Sequence, residues 1–281
     1  MMRTIPTEPP MRLRFRRRLS IRAFMQELWR SRELLWTLAE RDLRVRYKQA
    51  VLGAAWAVIT PLALMLVFSL FLQRVARFDT EGMPYPLFSY LGLLPWAFFS
   101  SSVSSGGSSL VSNNSLLNKV YCPREVFPLA AIIVAGVDTL VSGIVLALLF
   151  IVTGTAPRAT SFWVLPLFTI QLVFTVGIAL FVSAALVYVR DLRQAIPIAL
   201  QLGLFATPVA YGIDVIPARY HVLYSTLNPL APVIDGYRRA VLFGQAPSWD
   251  LVLPGAATAV VVLVAGYATF KKLETWFADV A

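Results

Sequence analysis

The stretch VLGAAWAVITPLALMLVFSLFL, residues 51–72, contains no charged residue in 22 positions. A helix needs about 20 mostly apolar residues to cross the hydrocarbon core of a bilayer. Five further stretches have the same character: residues 86–111, 127–152, 162–189, 194–213 and 251–270. Among these five, Asp138 is the only charged residue. The sequence therefore predicts an all-α membrane protein with six transmembrane helices.

The composition supports this class and excludes several others. The chain has 281 residues, of which 58% are hydrophobic and 14% charged, whereas soluble domains have about 25% charged residues. The single Cys122 and single His221 exclude a disulfide framework, a metal centre built from Cys or His, and a Ser-His-Asp triad. No phosphate-binding loop of the form GxxxxGK[ST] occurs. We expect no catalytic residue, no metal site and no cofactor bound by this chain.

The distribution of charge predicts the orientation. The net charge is +10, which in a membrane protein favours contact with anionic lipid over binding of nucleic acid. If the N-terminus is cytoplasmic, 19 of the 25 Lys and Arg residues lie on the cytoplasmic side. Cytoplasmic loops are enriched in Lys and Arg. We therefore expect a multi-pass membrane protein with both termini in the cytoplasm.

The N-terminal region divides into two parts before the six-span domain, which covers residues 49–281. Residues 1–20 form a basic cytoplasmic tail. Residues 21–48 comprise an amphipathic helix over residues 21–38 and a linker, because Ile21, Phe24 and Leu28 recur at helical spacing opposite basic residues. Such a helix either lies in the membrane interface, which its Arg and Trp content favours, or packs on a partner protein.

Two connecting segments carry further signals. Residues 113–125, NNSLLNKVYCPRE, form the coupling segment, in which Pro123 favours a chain break and a new helix start. This segment is either an ordinary turn or a short cytoplasmic helix that docks a partner. The outer loop, residues 214–250, is too apolar to be fully exposed to water. We expect it to form short re-entrant helices, whose irregular backbone must be covered by protein or line a cavity.

Asp138 and the aromatic residues each have two interpretations. An ionisable residue inside a span is often functional, although Asp138 could equally make a packing hydrogen bond to a neighbouring Ser or Thr. Aromatic residues concentrate in the first two spans and the loop between them. They form interfacial belts, or they stack on the apolar faces of sugar rings in a pore.

Five blocks, in order, are similar to the permease subunits of type-2 ABC exporters of lipid-linked polysaccharides, the family that exports O-antigen, teichoic acid, capsule and galactan. The blocks are RYKQAVLGAAWAVITP (residues 46–61), YPLFSYLGLLPWAFF (85–99), NKVYCPREVFPL (118–129), VRDLRQAIP with TPVAYGIDVIP (189–197 and 207–217), and LNPLAPVIDGYRRAVL (227–242). They cover essentially the whole chain beyond residue 41.

The resemblance implies partners and site residues. It implies two permeases that work with two separate nucleotide-binding ATPase subunits, which would bind the ATP and Mg²⁺. It implies that seven residues of the coupling segment contact the ATPase: Asn118, Lys119, Val120, Tyr121, Pro123, Arg124 and Glu125. It implies an outer gate that contains Tyr220, Tyr224, Asn228, Pro229 and Tyr237. It also implies a glycan channel between the permeases, to which we assign Trp56, Phe68, Tyr90, Trp96, Phe98 and Phe99.

The resemblance implies a location in the bacterial plasma (inner) membrane. The implied substrate is a glycan on a polyprenyl diphosphate, moved from the cytoplasm to the outer side. Its anionic diphosphate would be attracted by the basic cluster Arg41, Arg44, Arg46 and Lys48 at the inner headgroup level. Two alternatives stay open, and the first would use the same six-span plan. One is a type-2 ABC exporter of a small lipid or drug, and the other is a membrane transferase that acts on a polyprenyl substrate. The transferase is disfavoured because the cytoplasmic loops contain few acidic residues.

Overall fold

The apolar stretches of the sequence form helices that pack side by side. The computed structural model of the chain describes Gln26, residues 29–48, 55–75, Thr80, and residues 82–117 and 122–274. Every regular element in these ranges is helical, which confirms the all-α prediction. The predicted basic tail, residues 1–20, lies outside the described residues.

The α-helices are, in chain order, α1 (Arg32–Lys48), α2 (Ala55–Phe68), α3 (Tyr85–Ser112), α4 (Asn114–Leu117), α5 (Val126–Thr153), α6 (Val164–Tyr188), α7 (Leu192–Ala206), α8 (His221–Leu227), α9 (Leu230–Arg238) and α10 (Trp249–Glu274). Helix α2 continues as the π-helix Ser69–Val75, and α9 continues as the π-helix Arg239–Phe243. Three 3₁₀ turns connect the remaining elements, at Ala159–Trp163, Ile213–Val215 and Ala218–Tyr220.

Four of the described helical segments are long and apolar enough to cross a membrane: Ala55–Leu72, Val126–Thr153, Ala159–Tyr188 and Trp249–Glu274. They correspond to the first, third, fourth and sixth predicted spans. The second predicted span is α3, which has 28 residues but contains nine serines and three glycines and is therefore less apolar.

The fifth predicted span is shorter than expected. Helix α7 has 15 residues and ends at Ala206, seven residues before the predicted end of that span at residue 213. Thr207 is extended and Pro208 follows it. A residue that precedes proline is disfavoured in helical conformation, which explains the early end. Residues 207–213 are otherwise apolar, so Pro208 is the sequence signal that marks this break.

Helix α1 contains the last seven residues of the predicted amphipathic helix and extends past its predicted end, whereas residues 21–25, 27 and 28 lie outside the described residues. It continues ten residues beyond Leu38, to Lys48, through a segment without Gly or Pro in which Glu40 and Arg44 form an i,i+4 ion pair. Leu38 and Ala39 are buried in a cluster with Val126 and other residues of α5. Helix α1 therefore packs along the first turns of α5.

Helix α3 lies at the centre of the bundle, in contact with α2, α5, α6, α7 and α9. Small residues allow the closest helix contacts. A Cβ on Gly266 of α10 would collide with the backbone of Gly177 in α6, and a Cβ on Gly177 would lie 2.7 Å from the Leu263 Cα. Small residues at helix crossings are typical of helices that associate in membranes, because they let backbones approach closely.

The bundle has two ends, which we name by their characteristic charged residues. At the Arg238 end, α3 and α10 begin and α7 stops. At the Lys271 end, α3 and α10 finish and α5 and α7 begin. The Tyr188 hydroxyl donates a 2.8 Å hydrogen bond to the Leu273 carbonyl oxygen there, which joins the last turns of α6 and α10.

The Gly177–Gly266 crossing yields a stability prediction. We expect Gly266→Ala to lower the free energy of unfolding in detergent by about 2 kcal/mol, because the added methyl group meets backbone that cannot rotate away. The matched control is Gly143→Ala, since a Cβ on Gly143 of α5 meets nothing within 4 Å. This control should leave stability unchanged or raise it by up to about 1 kcal/mol. Equal thermal denaturation of both variants would contradict the importance of the crossing.

Candidate functional site

The early end of α7 exposes backbone carbonyl groups that no helix satisfies. Buried Arg238 of α9 occupies this position, and its side chain is 1% exposed. Its guanidinium donates hydrogen bonds to four carbonyl oxygens: those of Phe88, Pro208, Val209 and Tyr211. Its Cζ also lies 3.8 Å from the centroid of the Phe88 ring. Arg238 therefore joins the beginning of α3 to the broken end of α7.

Two neighbours complete the environment of Arg238. A Cβ on Gly92 would collide with the guanidinium, so the glycine makes room for it. The Tyr85 hydroxyl donates a 2.8 Å hydrogen bond to the Ala210 carbonyl oxygen, which satisfies another carbonyl of the same segment. Because buried carbonyl groups are costly when unpaired, these contacts hold residues 207–211 in their irregular conformation.

The predicted outer-gate residues contact the same region. The Tyr224 hydroxyl donates to the Ala206 carbonyl oxygen, and the Asn228 amide donates to the Thr207 hydroxyl at 2.9 Å. Pro229 immediately precedes α9, whereas Tyr220 is partly exposed beside Arg219. These hydrogen bonds thus connect helix α8 and the residue that follows it to the end of α7.

Tyr237, the fifth predicted gate residue, contacts a different helix. Its hydroxyl donates a 2.9 Å hydrogen bond to the side-chain oxygen of Gln171 in α6. The Gln171 amide in turn donates a 2.7 Å hydrogen bond to the carbonyl oxygen of Pro95 in α3. A buried chain of polar groups therefore connects α9, α6 and α3.

A cavity of about 610 Å³ lies among α2, α3, α5 and α7, beside the end of α1. Most of its lining surface is apolar, with Ala57, Pro61, Leu64, Leu93, Leu94, Ala97, Ala135, Pro197 and Leu200 among the lining residues. The remaining lining residues are aromatic, carry hydroxyl groups or form one ion pair: Arg46, Tyr47, Trp56, Thr60, Trp96, Ser100, Ser101, Ser104, Asp138, Thr139 and Ser142. Two further clefts, of about 460 and 320 Å³, follow the serine face of α3 toward the Lys271 end. Arg46 lines both the cavity and the larger cleft.

The six aromatic residues predicted for a channel divide into two groups. Trp56 and Trp96 line the cavity, and Trp56 is 56% exposed. The other four are buried against neighbouring helices: Phe68, Tyr90, Phe98 and Phe99. Tyr90, for example, donates a 3.0 Å hydrogen bond to the Ser142 carbonyl oxygen. In this conformation these four residues belong to the core and do not reach the cavity.

Asp138 makes an ion pair with Arg46 and accepts a hydrogen bond from the Tyr47 hydroxyl. The neighbouring Ser142 and Thr139 are not its partners, because their hydroxyl groups donate to the carbonyl oxygens of Ala57 and Ala135 instead. A carboxylate in an apolar helix needs a partner such as Arg46. Within the described ranges, no group of three or more His, Cys, Asp or Glu residues is placed to hold a metal ion.

The rest of the predicted basic cluster is spread along α1. Arg41 donates 2.6 and 2.8 Å hydrogen bonds to the side-chain oxygens of Asp42 and Asn113. Arg44 is exposed and pairs with Glu40, and Lys48 is exposed. Arg46 alone of the four reaches the cavity.

The structure describes only part of the predicted ATPase-contact set: Pro123, Arg124 and Glu125. The other four members lie outside the described residues: Asn118, Lys119, Val120 and Tyr121. Glu125 is 1% exposed and forms an ion pair with Lys271, so its carboxylate is not available at the surface. Burial raises the pKa of the Glu125 carboxyl, and Lys271 opposes that shift. The Arg124 guanidinium donates a 2.7 Å hydrogen bond to the Glu274 carbonyl oxygen.

Sequence reasoning missed four of these functional side chains: Tyr47, Gln171, Arg238 and Lys271. Arg238 and Arg239 are adjacent and look equivalent, yet only the first is fully buried. Lys271 has the appearance of an ordinary basic residue at the end of a span. A charged residue after a hydrophobic stretch marks the end of a span. Its position in the sequence does not show which residue it pairs with.

A family model described as "ABC-2 type transporter" matches residues 33–242. The matched range includes the cavity, the Asp138–Arg46 pair and the Arg238 network. The chain therefore belongs to the ABC-2 type transporter family. Together with the four long apolar helices, this membership makes it a multi-pass membrane protein.

Similar proteins of known name cover nearly the whole chain. A Klebsiella pneumoniae protein named O-antigen export system permease protein RfbA is 30% identical over 88% of this chain and 95% of its own length. A Myxococcus xanthus protein of the same name is 33% identical over 91% of this chain and 98% of its own length. The polysialic acid transport protein KpsM of Escherichia coli is 27% identical over 83% and 91%, respectively.

The Arg238 network gives a second prediction. We expect Arg238→Met to lower the free energy of unfolding by about 3 kcal/mol or more, because it leaves buried carbonyl groups unpaired. Arg239→Met is the matched control, since Arg239 is less buried and bonds only the Ala246 carbonyl oxygen at 3.2 Å. Thermal unfolding in detergent measures both. A similar small loss for both variants would show that the network contributes little.

Proposed function

We propose that this chain is the membrane permease subunit of an ATP-driven exporter that moves a polyprenyl-diphosphate-linked polysaccharide out of the cytoplasm. The observation that carries the proposal is the cavity among α2, α3, α5 and α7. Its aromatic and hydroxyl lining suits a sugar chain, and the similar proteins are named for the export of O-antigen and polysialic acid. As a transport subunit, this chain leaves ATP hydrolysis to a partner.

The aromatic and hydroxyl groups of the cavity suit a polysaccharide, although the rest of the lining is apolar. Trp56, which is 56% exposed, offers a flat apolar face for sugar rings. Serine and threonine hydroxyl groups both donate and accept hydrogen bonds, so they can replace water around a glycan without selecting one geometry. The ion pair neutralises Arg46 and Asp138, so the cavity would not retain a charged sugar tightly. A glycan that is bound loosely can move along the cavity.

The diphosphate end of the substrate would bind outside the cavity. Arg44 and Lys48 are exposed on α1, and interfacial cations attract anionic lipid by roughly 1 kcal/mol each. Arg41 lies at the mouth of the serine-lined cleft, beside Asn113. We infer that these three residues hold the diphosphate at the inner headgroup level, while Arg46 stays with Asp138.

The proposed assembly contains two copies of this chain and two nucleotide-binding ATPase subunits, which bind ATP and Mg²⁺. The glycan channel would form between the two copies, and the cavity of each copy would line part of it. We propose six spans, adding α3 and α7 to the four apolar segments, with both termini in the cytoplasm of a bacterium. In this orientation the Lys271 end is cytoplasmic and the Arg238 end, with α8 and α9, forms the outer gate. Helix α1 would lie at the inner interface.

Purification of the tagged chain from mild detergent tests the assembly. We expect an ATPase with a Walker motif to co-purify at two copies per two permeases, because ATP hydrolysis needs a phosphate loop that this chain lacks. Proteoliposomes of the complex should move a lipid-linked glycan only when ATP is present. A chain that purifies alone and transfers a polyprenyl substrate without ATPase would contradict the proposal and favour the membrane transferase.

Trp56 provides a test of the glycan path. We expect Trp56→Ala to slow export about threefold to tenfold for long chains and less for short ones, since each sugar must pass the lost aromatic face. Trp36→Ala is the control, because Trp36 on α1 is similarly exposed but does not line the cavity. Export rates of chains sorted by length measure the effect. Equal slowing of long and short chains would indicate a role in membrane anchoring instead.

A further inference from the structure

The last turn of α10 is tied to the end of the coupling segment by four residues: Arg124, Glu125, Lys271 and Glu274. We name this group the Glu125–Lys271 clamp. The Lys271 ammonium pairs with the Glu125 carboxylate and lies 3.1 Å from the Glu274 carboxylate. The Arg124 guanidinium donates a hydrogen bond to the Glu274 carbonyl oxygen at 2.7 Å. Two consecutive residues of the coupling segment therefore hold one helix end.

The clamp is buried, unlike most ion pairs at helix ends. The side chains of Lys271 and Glu125 are 8% and 2% exposed. An ion pair of this kind is costly to break, because separation leaves a charge without solvent or partner. The clamp should therefore persist while larger parts of the protein move. The hydrogen bond from Tyr188 to the Leu273 carbonyl oxygen attaches the last turn of α6 to the same place.

The opposite end of α10 contacts the segment that we assign to the outer gate. A Cβ on Gly255 would lie 3.1 Å from the Pro232 Cγ and 3.2 Å from the Ser225 carbonyl oxygen. Helix α10 therefore packs closely on α8 and α9. Gly255 and Lys271 are about 24 Å apart along the helix axis, at 1.5 Å per residue. One continuous helix thus connects the clamp with the gate.

We propose that Lys271 is a positioning residue that makes α10 move together with the coupling segment, so that displacement at the cytoplasmic face reaches the outer gate through α10. The inference rests on the proposed function, because it requires an ATPase that displaces the coupling segment. The segment is joined covalently to α5, whereas among the described residues Arg124 and Glu125 join it to the last turn of α10. Loss of the clamp charge should uncouple α10 without preventing ATP hydrolysis.

The test compares ATP consumption with export in proteoliposomes of the permease–ATPase complex. Lys271→Met keeps the length of the side chain and removes its charge. We expect the number of ATP molecules hydrolysed per exported chain to rise about fivefold or more. Lys271→Arg retains the charge and should keep the ratio near that of the original protein. Glu125→Gln removes the partner charge of the same pair and should raise the ratio as Lys271→Met does.

The control is Lys272→Ala, which removes an equal charge from the exposed neighbouring position and should leave the ratio unchanged. A purely structural role would lower the amount of complex or its activity but would not change the ratio. The inference is overturned if Lys271→Met keeps the original ratio, or if Lys271→Arg is as uncoupled as Lys271→Met. Where Lys271→Met does not assemble, Glu125→Gln decides the question by the same ratio.

Failure of this inference can be distinguished from failure of the proposed function. If the original chain binds no ATPase or exports no glycan, the proposed function is wrong before any variant is compared. If the original complex exports glycan and Lys271→Met has the same ratio of ATP hydrolysed per exported chain, the proposed function is supported and only the role of the clamp is wrong. Motion would then reach the gate through α3 or α5.

Discussion

The structure depends on one constraint: the buried carbonyl groups of residues 208–211 have no partners within a helix and need donors from elsewhere. A membrane interior offers no water to such groups, so donors must come from the protein itself. Arg238 supplies them, because a guanidinium has five N–H donors in a planar fork and stays protonated. It binds carbonyls of both α3 and the end of α7. The positions of α3, α7 and α9 at this end of the bundle are therefore set by one side chain.

The other buried polar groups of the bundle also find their partners within the protein, but these contacts have different consequences. Gln171 and Tyr237 satisfy each other in the interior and rigidify the contact between α6 and α9. Asp138 and Arg46 neutralise each other at the wall of the cavity, where they leave polar surface without net charge. In the proposed exporter, rigid contacts hold the frame, and the neutral hydroxyl-lined cavity lets a glycan pass without being trapped.

The helical class and most helix positions could be predicted, because apolar stretches of membrane length have few alternative structures. The third and sixth predicted spans agree with α5 and α10 to within a few residues. The fifth does not, since Pro208 lies in a stretch that is otherwise apolar.

The site residues could be predicted less completely than the helices. Trp56 and Trp96 line the cavity, but Tyr90 and Phe98 are buried in the core. Residues 85–99 of α3 are apolar on nearly every side, so their sequence does not show which side of the helix faces the cavity.

The sequence by itself determined what could be derived from local composition: the membrane class, the approximate helices, the absence of a phosphate loop and the blocks shared with the family. Only the tertiary structure decided which charges meet. It paired Asp138 with Arg46 across 92 positions of the chain, buried Arg238 but not its neighbour, and joined Glu125 to Lys271. The physical reason is that a buried charge is stabilised by whatever partner the packing of distant helices brings within a few ångströms, and that partner's place in the sequence is arbitrary.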